Sequence, residues 1–385
     1  MARDMNVGLV GYKFMGKAHS HAWADCARYF PLKANVVMKA ICGRNEEGVK
    51  ATAANWGWKS YETSIEKLLA RPDIDVVDVT TPNNAHYEMV MKAAKARKHI
   101  ACEKPLAMDV SQAREMLAAV KEARVLNMIW HNYRRAPALA LAKRMIDQGL
   151  IGTIYHIRAN YLQDWIMDPK FPLAWRLRKE IAGSGSHGDL NAHLIDTARY
   201  LVGEFASVTA TFETFIKERP VELEGGSLFA GKTSEKMGPV TVDDAVIALA
   251  RFKNGALGTF EATRFAMGHK NGKTVEINGS KGSVRFNLER LNELEYYNAD
   301  DPKDLVGFRT IQATAPSHPY MAGYWPPGHI IGYEHTFINA AADFTNAFAE
   351  GKPIKPDFED GLRNQIVLEA MAESAKKKTW VEIPN

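Results

Sequence analysis

An aspartate and a histidine stand four residues apart in the Gly-Asp-Leu-Asn-Ala-His stretch at 188–193. On a helix, Asp189 and His193 would share one face. A neutral imidazole is the usual acid or base near neutral pH, and a carboxylate beside it can orient the ring and hold its proton. Taken alone, such a pair is more often a helix cap or a surface contact, so other stretches must decide.

A glycine-bearing turn near the start of the chain has the form of a phosphate-binding loop. Gly11 and Gly16 occupy the first and third glycine positions of G-x-G-x-x-G, and Lys13 replaces the middle glycine. The turn lies between a predicted strand and a predicted helix, where backbone N–H groups can bind a pyrophosphate. Two interpretations stay open: a turn without a cofactor, or a dinucleotide loop in which the Lys13 ammonium lies beside a phosphate or points away.

The end of the second predicted strand bears on which dinucleotide would bind. An Asp or Glu at this point holds the ribose 2′-hydroxyl of NAD, whereas an Arg accommodates the 2′-phosphate of NADP. The sequence has Arg44 there and no acidic residue before Glu46. Because a surface arginine at the start of a helix needs no ligand, NAD and NADP both remain open.

The first third of the chain alternates short apolar runs with helical patterns. Strands separated by helices of about ten residues or more imply parallel pairing with right-handed crossovers, and hence a doubly wound α/β sheet. The predicted strands are 6–10, 36–42, 75–80, 99–102 and 125–130, and the predicted helices are 16–27, 46–55, 86–95 and 110–122.

Beyond residue 130 most strands follow one another without intervening helices. This order indicates an α+β domain built on a large, open, mostly antiparallel sheet. The predicted strands are 155–161, 208–215, 246–252, 257–263, 274–278, 283–287, 294–297 and 381–383, and the predicted helices are 138–148, 188–201 and 360–377. Segments 217–242 and 314–332 are predicted as long loops. We therefore expect two domains, 1–130 and 131–385, with the last helix able to pack back on the first.

Composition excludes several classes of protein. A net charge of +4 over 385 residues, without a long basic run, argues against nucleic-acid binding. Three widely spaced cysteines argue against a disulfide framework and against a zinc site. No apolar stretch has the length of a signal peptide or a membrane span. We expect a cytoplasmic protein with no metal, membrane or nucleic-acid partner.

Three motifs follow the glycine turn in a fixed order: Thr-Pro-Asn-Asn-Ala-His at 81–86, Glu-Lys-Pro at 103–105 and Asp-x-x-x-His at 189–193. Together they resemble the Gfo/Idh/MocA oxidoreductase family over essentially the whole chain. The stretches that resemble its levoglucosan dehydrogenase branch are 132–135, 161–165, 198–205, 242–244 and 317–320. The resemblance implies an N-terminal Rossmann domain, a C-terminal domain with an open sheet, and assembly into homodimers or homotetramers.

The resemblance also implies roles for individual residues. The catalytic residues would be Lys104, which binds the reacting oxygen, His193 as general base, and Asp189 as its partner or a substrate contact. Cofactor binding would fall to Gly11, Tyr12, Lys13, Phe14, Met15, Gly16, Arg44, Thr81, Pro82, Asn83, His86, Glu103 and Lys104. Substrate binding would fall to Lys104, Tyr133, Gln163, Trp165, Arg176, Asp189, His193 and Tyr333. His86 would belong to the wall near the nicotinamide, and His187 to a loop that contacts substrate or nothing. The residues at the pocket rim would be Arg176, Arg178, His318, Tyr320, Trp325 and Tyr333.

The function implied is that of an NAD(P)-dependent sugar dehydrogenase. His193 would remove a hydroxyl proton from a pyranose, anhydrosugar or glycoside, at C3 by analogy with the levoglucosan branch, while hydride passes to the nicotinamide. The alternative is a glycoside hydrolase that oxidises, eliminates and re-reduces with no net redox change around a tightly bound cofactor. Arg176, Arg178 and Lys179 would allow that enzyme an anionic sugar. A cofactor-binding sensor without catalysis is a third possibility.

Overall fold

The computed structural model describes residues 3–223 and 233–384. Contacts divide the chain into two compact units. The first unit consists of residues 1–135 and 332–365, and the second consists of residues 136–331 and 366–385. Within the described residues, no helix is both long and apolar enough to cross a membrane.

The first unit contains a six-stranded sheet in which every neighbouring pair is parallel. Its strands are β1 Asp4–Val10, β2 Asn35–Cys42, β3 Tyr61–Glu62, β4 Val76–Val79, β5 His99–Cys102 and β6 Asn127–Ile129. Its first helices are α1 Phe14–Tyr29, α2 Glu46–Trp56, α3 Ile65–Leu69, α4 His86–Lys95 and α5 Val110–Ala123. The strand order β3-β2-β1-β4-β5-β6 confirms the predicted doubly wound sheet. The order changes direction between β1 and β4, where ligands of such sheets bind.

Local sequence explains where these elements stop and start. The Asn45 side chain accepts a hydrogen bond from the backbone of Gly48 and caps α2, and Asp109 caps α5 in the same way. All four residues of β4 are buried, as expected for a strand covered on both faces. The short elements β3 and α3 were not predicted, since two to five residues carry little periodicity.

The second unit contains a nine-stranded sheet in the order β16-β15-β14-β13-β7-β12-β11-β8-β17. Only the pair β7 and β12 is parallel within this sheet, so the predicted mostly antiparallel architecture is confirmed. The strands of the sheet are β7 Ile154–Leu162, β8 Phe205–Glu213, β11 Ala245–Phe252, β12 Leu257–Thr263, β13 Gly272–Gly279, β14 Gly282–Asn287, β15 Glu293–Asn298, β16 Arg309–Gln312 and β17 Val381–Glu382. The helices are α6 Pro137–Asp147, α7 Lys179–Ala182 and α8 Ala192–Leu201.

Two sequence predictions need correction. The segment 217–242 is not a continuous loop, because β9 Glu218–Glu222 pairs antiparallel with β10 Thr233–Pro239. Residues 224–232 of that predicted loop lie outside the described residues. A helix that was not predicted, α9 Tyr333–Glu350, follows the second predicted loop. Its aromatic side chains, including Phe337, join the core of the first unit, and α10 Phe358–Lys377 closes the chain.

One face of the large sheet carries exposed apolar side chains. β11 alternates buried and exposed positions, and Ile247 and Leu249 stand on its exposed side. Leu257 on the neighbouring β12 is exposed as well. Exposed apolar patches of this kind are typical of association surfaces. Assembly into homodimers or homotetramers stays a prediction.

Candidate active site

The glycine turn between β1 and α1 packs closely against the end of β4. Gly11 has a φ of +104°, and a Cβ on it would lie 2.8 Å from Thr80 Oγ1. A Cβ on Gly16 would lie 2.2 Å from the carbonyl oxygen of Gly11. Helix α1 begins at Phe14, and the side chain of Lys13 makes no capping hydrogen bond. A tight turn that ends in a helix N-terminus fits the pyrophosphate of a dinucleotide.

Tyr12 brings this turn against the end of β2. A Cβ on Gly43 would lie 2.2 Å from Tyr12 Cε1, so only glycine leaves room for the ring. Lys13 Nζ lies 5.7 Å from the centroid of the same ring. Arg44 is exposed beyond the strand end, and Met15 packs against the core. The structure therefore groups the predicted cofactor-binding residues of the turn around the ends of β1 and β2.

The His86 ring contacts both the Thr-Pro-Asn motif after β4 and the Glu-Lys-Pro motif after β5. Its Nδ1 lies 2.9 Å from the carbonyl oxygen of Pro105, and its Nε2 lies 3.0 Å from that of Thr81. Pro82 leads into a short 3-10 helix, Asn83–Ala85, that comes directly before α4. Burial lowers the pKa of His86, against the opposing effect of both carbonyl groups. The imidazole thus fixes the spacing of the two loops, and its proximity to a nicotinamide stays a prediction.

Glu-Lys-Pro begins directly after the last residue of β5. The buried Glu103 accepts a hydrogen bond at Oε2 from the backbone N–H of Lys104, with a distance of 3.1 Å. Its other oxygen, Oε1, lies 3.0 Å from His19 Nε2. The Lys104–Pro105 peptide bond is cis. Lys104 is partly exposed and follows the carboxyl end of a parallel strand, where ligands of such sheets bind.

Two tyrosines predicted to bind substrate meet in the first unit. The ring centroids of Tyr133 and Tyr333 are 6.2 Å apart, and the ring planes are inclined to each other by 62°. Tyr333, the first residue of α9, also packs against Phe337 with a centroid distance of 5.2 Å. These rings stand beside residues of the aromatic core, which holds their orientation.

In the second unit, the carboxylate of Asp243 holds the turn that leads to Asp189. It accepts hydrogen bonds from the backbone N–H of Gly185 at 2.8 Å, from Ser186 Oγ at 2.8 Å and from the backbone N–H of His187 at 2.7 Å. A Cβ on Gly185 would lie 1.7 Å from the carbonyl oxygen of Asp243. The turn is therefore specified by one buried carboxylate and one glycine.

The helix that carries the Asp-x-x-x-His motif begins differently from the prediction. Residues His187–Asn191 form a π-helical turn, and the α-helix α8 begins only at Ala192. Asp189 lies in the π-helical turn and His193 in the α-helix, so regular α-helical spacing does not describe the pair. π-helical turns are rare and occur frequently at functional sites.

Asp189 forms an ion pair with Arg264, with 2.7 Å between Oδ2 and Nη2. The buried Arg264 guanidinium also lies over the ring of Trp165, 5.2 Å from its centroid. Trp165 Nε1 in turn donates a hydrogen bond of 2.8 Å to Gln163 Oε1. Arg264 thus brings together three predicted site residues. No pattern in the sequence singled it out, because it follows β12, 75 residues from Asp189.

His193 joins the same group through Tyr161. The two ring centroids are 6.0 Å apart. The Tyr161 hydroxyl donates a hydrogen bond of 2.7 Å to Asn271 Oδ1, and Gln163 Nε2 donates one of 2.9 Å to the same oxygen. Sequence reasoning missed Tyr161 and Asn271 as site residues. Tyr161 could have been found, since it belongs to the stretch 161–165 that already carried Gln163.

A buried lysine, Lys273, supports the backbone of His193 through Thr197. Thr197 Oγ1 donates a hydrogen bond of 2.7 Å to the His193 carbonyl oxygen and accepts one of 2.7 Å from Lys273 Nζ. Burial lowers the pKa of Lys273 to about 7, although the nearby Asp196 opposes the shift. The sequence offered no signal for this lysine, which lies inside a strand.

His187 lies in a helical turn and not on the predicted loop. It lies in the π-helical turn, and its Nε2 is 2.8 Å from the carbonyl oxygen of Leu368. Its ring packs on Phe212 with a centroid distance of 4.6 Å. Burial lowers its pKa, against the charge of Asp243. The residue is therefore a neutral structural support for the turn.

The predicted rim residues make local contacts. The Arg176 guanidinium lies 4.3 Å from the ring centroid of its neighbour Trp175, and Arg178 directly precedes α7. His318 accepts a hydrogen bond from the backbone of Ala315, within the predicted loop 314–332 that also carries Tyr320 and Trp325. Their contacts with substrate stay predictions.

Metal ligands do not cluster in the part of the chain that the structure describes. Across residues 3–223 and 233–384, no group of three or more His, Cys, Asp or Glu side chains is arranged to hold a metal ion. The cysteines Cys26, Cys42 and Cys102 are free and buried.

Family models match most of the chain. Residues 5–131 match the model of the oxidoreductase family described as an NAD-binding Rossmann fold. Residues 139–285 match the model of the GFO/IDH/MocA C-terminal domain.

Individual proteins are similar over the full length. Levoglucosan dehydrogenase of Pseudarthrobacter phenanthrenivorans is 46% identical over 388 residues, which cover 99% of each chain. An oxidoreductase domain protein from Kribbella flavida has a crystal structure that is 47% identical, covers all of both chains and superposes with a TM-score of 0.95. A structure of levoglucosan dehydrogenase in complex with NADH and levoglucosan is 46% identical, with complete coverage of both chains and a TM-score of 0.94.

The turn before the π-helical segment yields a test of stability. We expect Gly185→Ala to reduce the free energy of unfolding by about 1–3 kcal/mol, the usual cost of an added methyl group without space. The matched control is Gly307→Ala, because a Cβ on Gly307 would meet no atom within 4 Å. Chemical denaturation of both variants measures the difference. Equal stability of the two variants would contradict the described packing.

Proposed function

The chain belongs to the Gfo/Idh/MocA oxidoreductase family, and from that premise we propose that it oxidises a ring hydroxyl, at C3, of a pyranose, anhydrosugar or glycoside. It is an NAD-dependent oxidoreductase that acts on the CH–OH group of a sugar. The observation that carries the proposal is the full-length identity of 46% to a levoglucosan dehydrogenase. Levoglucosan is therefore the first substrate to test.

The glycine turn and the motifs after β4 and β5 would hold the cofactor. NAD, when bound, supplies a nicotinamide ring that takes up hydride from the carbon being oxidised. The close packing of Gly11 and Gly16 supports a role for the turn in binding the pyrophosphate. Tyr12 and Arg44, near the end of β2, would contact the adenosine end of the cofactor.

In the proposed mechanism, Lys104 and His193 take the roles that the family resemblance implies. His193 accepts the hydroxyl proton on its imidazole, and the Lys104 ammonium hydrogen-bonds the oxygen as its negative charge develops. The Asp189 carboxylate, held by Arg264, provides a fixed acceptor for a neighbouring sugar hydroxyl or for the imidazole. Backbone support from Thr197 keeps His193 in place.

The remaining substrate contacts suit a ring with several hydroxyl groups. Trp165 offers a flat face, and Gln163 offers an amide whose orientation is set by Trp165 and Asn271. Tyr133 and Tyr333 add hydroxyl groups on rigid rings. Arg176 provides a charge for an anionic substituent.

Removing either proposed catalytic group tests the assignment. We expect Lys104→Ala and His193→Asn each to lower kcat about 100- to 10,000-fold, the usual contribution of a positioned acid or base. The assay follows NADH formation from levoglucosan and a panel of pyranoses. Lys352→Ala, which alters an exposed lysine, is the control and should retain full activity. Activity within a few-fold of the unaltered enzyme would refute the roles of Lys104 and His193.

The same assay distinguishes redox-neutral glycoside cleavage. A hydrolase of this type would release the aglycone from an aryl glycoside without accumulation of NADH. Steady accumulation of NADH from levoglucosan, with no bound NAD in the purified protein, is the result we expect.

The lysine in the glycine turn provides a test of cofactor retention. We expect Lys13→Gly to leave the fold intact and to raise the Kd for NADH about tenfold, the usual effect of losing one charge-assisted hydrogen bond. Isothermal titration with NADH and NADPH measures it. Unchanged affinity for both dinucleotides would show that Lys13 contributes nothing to cofactor binding.

A further inference from the structure

Three ionisable side chains form a continuous buried chain beneath the Glu-Lys-Pro loop. His19 on α1 lies between Asp78 on β4 and Glu103 at the end of β5. The distance from His19 Nδ1 to Asp78 Oδ2 is 2.9 Å, and the distance from Nε2 to Glu103 Oε1 is 3.0 Å. His19 and Asp78 are fully buried, and Glu103 is 4% exposed. The proposed reaction uses none of these three side chains to transfer a proton.

The partners of Asp78 indicate that its carboxyl group is ionised. Trp23 Nε1 donates a hydrogen bond of 2.8 Å to Oδ2, and Trp130 Nε1 donates one of 2.8 Å to Oδ1. An indole nitrogen can only donate, so both oxygens of Asp78 act as acceptors. With Asp78 ionised, His19 Nδ1, 2.9 Å from Oδ2, is the donor in that contact as well.

The partners of Glu103 lead to the same conclusion on the other side of the ring. Its Oε2 accepts the backbone N–H of Lys104 at 3.1 Å, so this oxygen is an acceptor. If Glu103 is ionised, Oε1 is an acceptor too, and His19 Nε2 must donate to it. Both ring nitrogens of His19 then carry hydrogen, which makes the ring an imidazolium between two carboxylates.

We propose that His19 is a positioning residue for catalysis: as a buried imidazolium it holds Glu103, and Glu103 holds the backbone of Lys104. The proposal rests on the proposed function in one respect, the catalytic role of Lys104. An imidazolium satisfies two carboxylates that would otherwise be buried with like charge. The series of contacts from Asp78 through His19 and Glu103 therefore sets the position of the Lys104 ammonium.

The surroundings of His19 agree with this protonation state. Burial by itself lowers the pKa of His19, but the charges and hydrogen bonds of Asp78 and Glu103 outweigh burial and raise the pKa to about 9. The other neighbours are uncharged: the Trp130 and Phe337 rings lie 4.2 and 5.3 Å away between centroids. The Cys102 thiol, whose pKa burial and the same carboxylates raise, also stays neutral.

This state gives the protein a defined dependence on pH. Because the pKa of His19 is raised from 6.5 to about 9 by folding, its stabilising contribution is complete below pH 6.5. The contribution is lost as the pH rises through about 9. Glu103 then loses its charged partner, and we expect kcat to fall because Lys104 is less well positioned.

The first experiment reads the protonation state directly in the unaltered protein. Heteronuclear NMR of protein with 15N-labelled histidine distinguishes two protonated ring nitrogens from one, and His19→Gln or Glu103→Gln assigns the resonance. We expect two protonated nitrogens at pH 7.5 and loss of one proton near pH 9. One unprotonated nitrogen at pH 7.5 would overturn the proposal, since Glu103 would then carry the proton.

The second experiment separates positioning from folding. We expect His19→Gln to lower kcat about 10- to 100-fold, as small displacements of a catalytic group do. The Kd for NADH should change much less than kcat, because the side-chain hydrogen bonds of His19 go to Asp78 and Glu103 and not to the glycine turn. The decline of kcat near pH 9 should be absent from this variant.

The matched control is His21→Gln, two residues away on the same helix. His21 is 48% exposed and pairs with Asp25 on the surface, so kcat and its pH profile should not change. An unchanged kcat in His19→Gln would overturn the proposal. If that variant does not fold, Glu103→Gln replaces it with the same expected loss of kcat. If no sugar is oxidised by the unaltered protein, the proposed function fails, while the NMR result still decides the state of His19.

Discussion

A carboxylate can be buried in a protein core only when donors surround it, and this constraint applies in each of the two units. In the first unit, Asp78 collects two indole N–H groups and an imidazole. In the second unit, Asp243 collects two backbone N–H groups and a hydroxyl. Each buried acid fixes the segment that carries a proposed catalytic residue, Lys104 in one unit and the Asp189–His193 motif in the other.

The buried carboxylates of the two units, Asp78 and Asp243, position different kinds of segment. Around Asp78, the series of buried ionisable groups ends with Glu103, which accepts the backbone N–H of Lys104. In our proposal, these charges position the Lys104 ammonium. Around Asp243 the hydrogen bonds shape a π-helical turn, which presents Asp189 to Arg264. The proposed reaction needs a base whose place is fixed and a cation near a developing oxyanion, and hydrogen bonds to buried carboxylates hold the segment that carries each of them.

The sequence predicted the architecture well because strand and helix patterns are local. Alternation of short apolar runs with helices led to the parallel sheet, and the bounds of α4 and β5 agree with the structure to the residue. Interactions between distant residues could not be predicted. Arg264, which follows β12, meets Asp189 across 75 positions, and His19 meets Glu103 across 84 positions. The π-helical turn was missed because it depends on Asp243, which lies 54 positions after Asp189 in the sequence. Helix α9 was not predicted, because its residues that face the aromatic core form what looks in the sequence like an ordinary apolar run.

Hydride transfer from a sugar carbon to the nicotinamide is the central step of the proposed reaction. Levoglucosan carrying deuterium at C3 tests this directly, with NMR analysis of the NADH formed. We predict that deuterium appears at C4 of the nicotinamide and that turnover is slower than with unlabelled sugar. Formation of NADH without deuterium would contradict oxidation at C3, and absence of NADH with levoglucosan and the other pyranoses would contradict sugar oxidation itself.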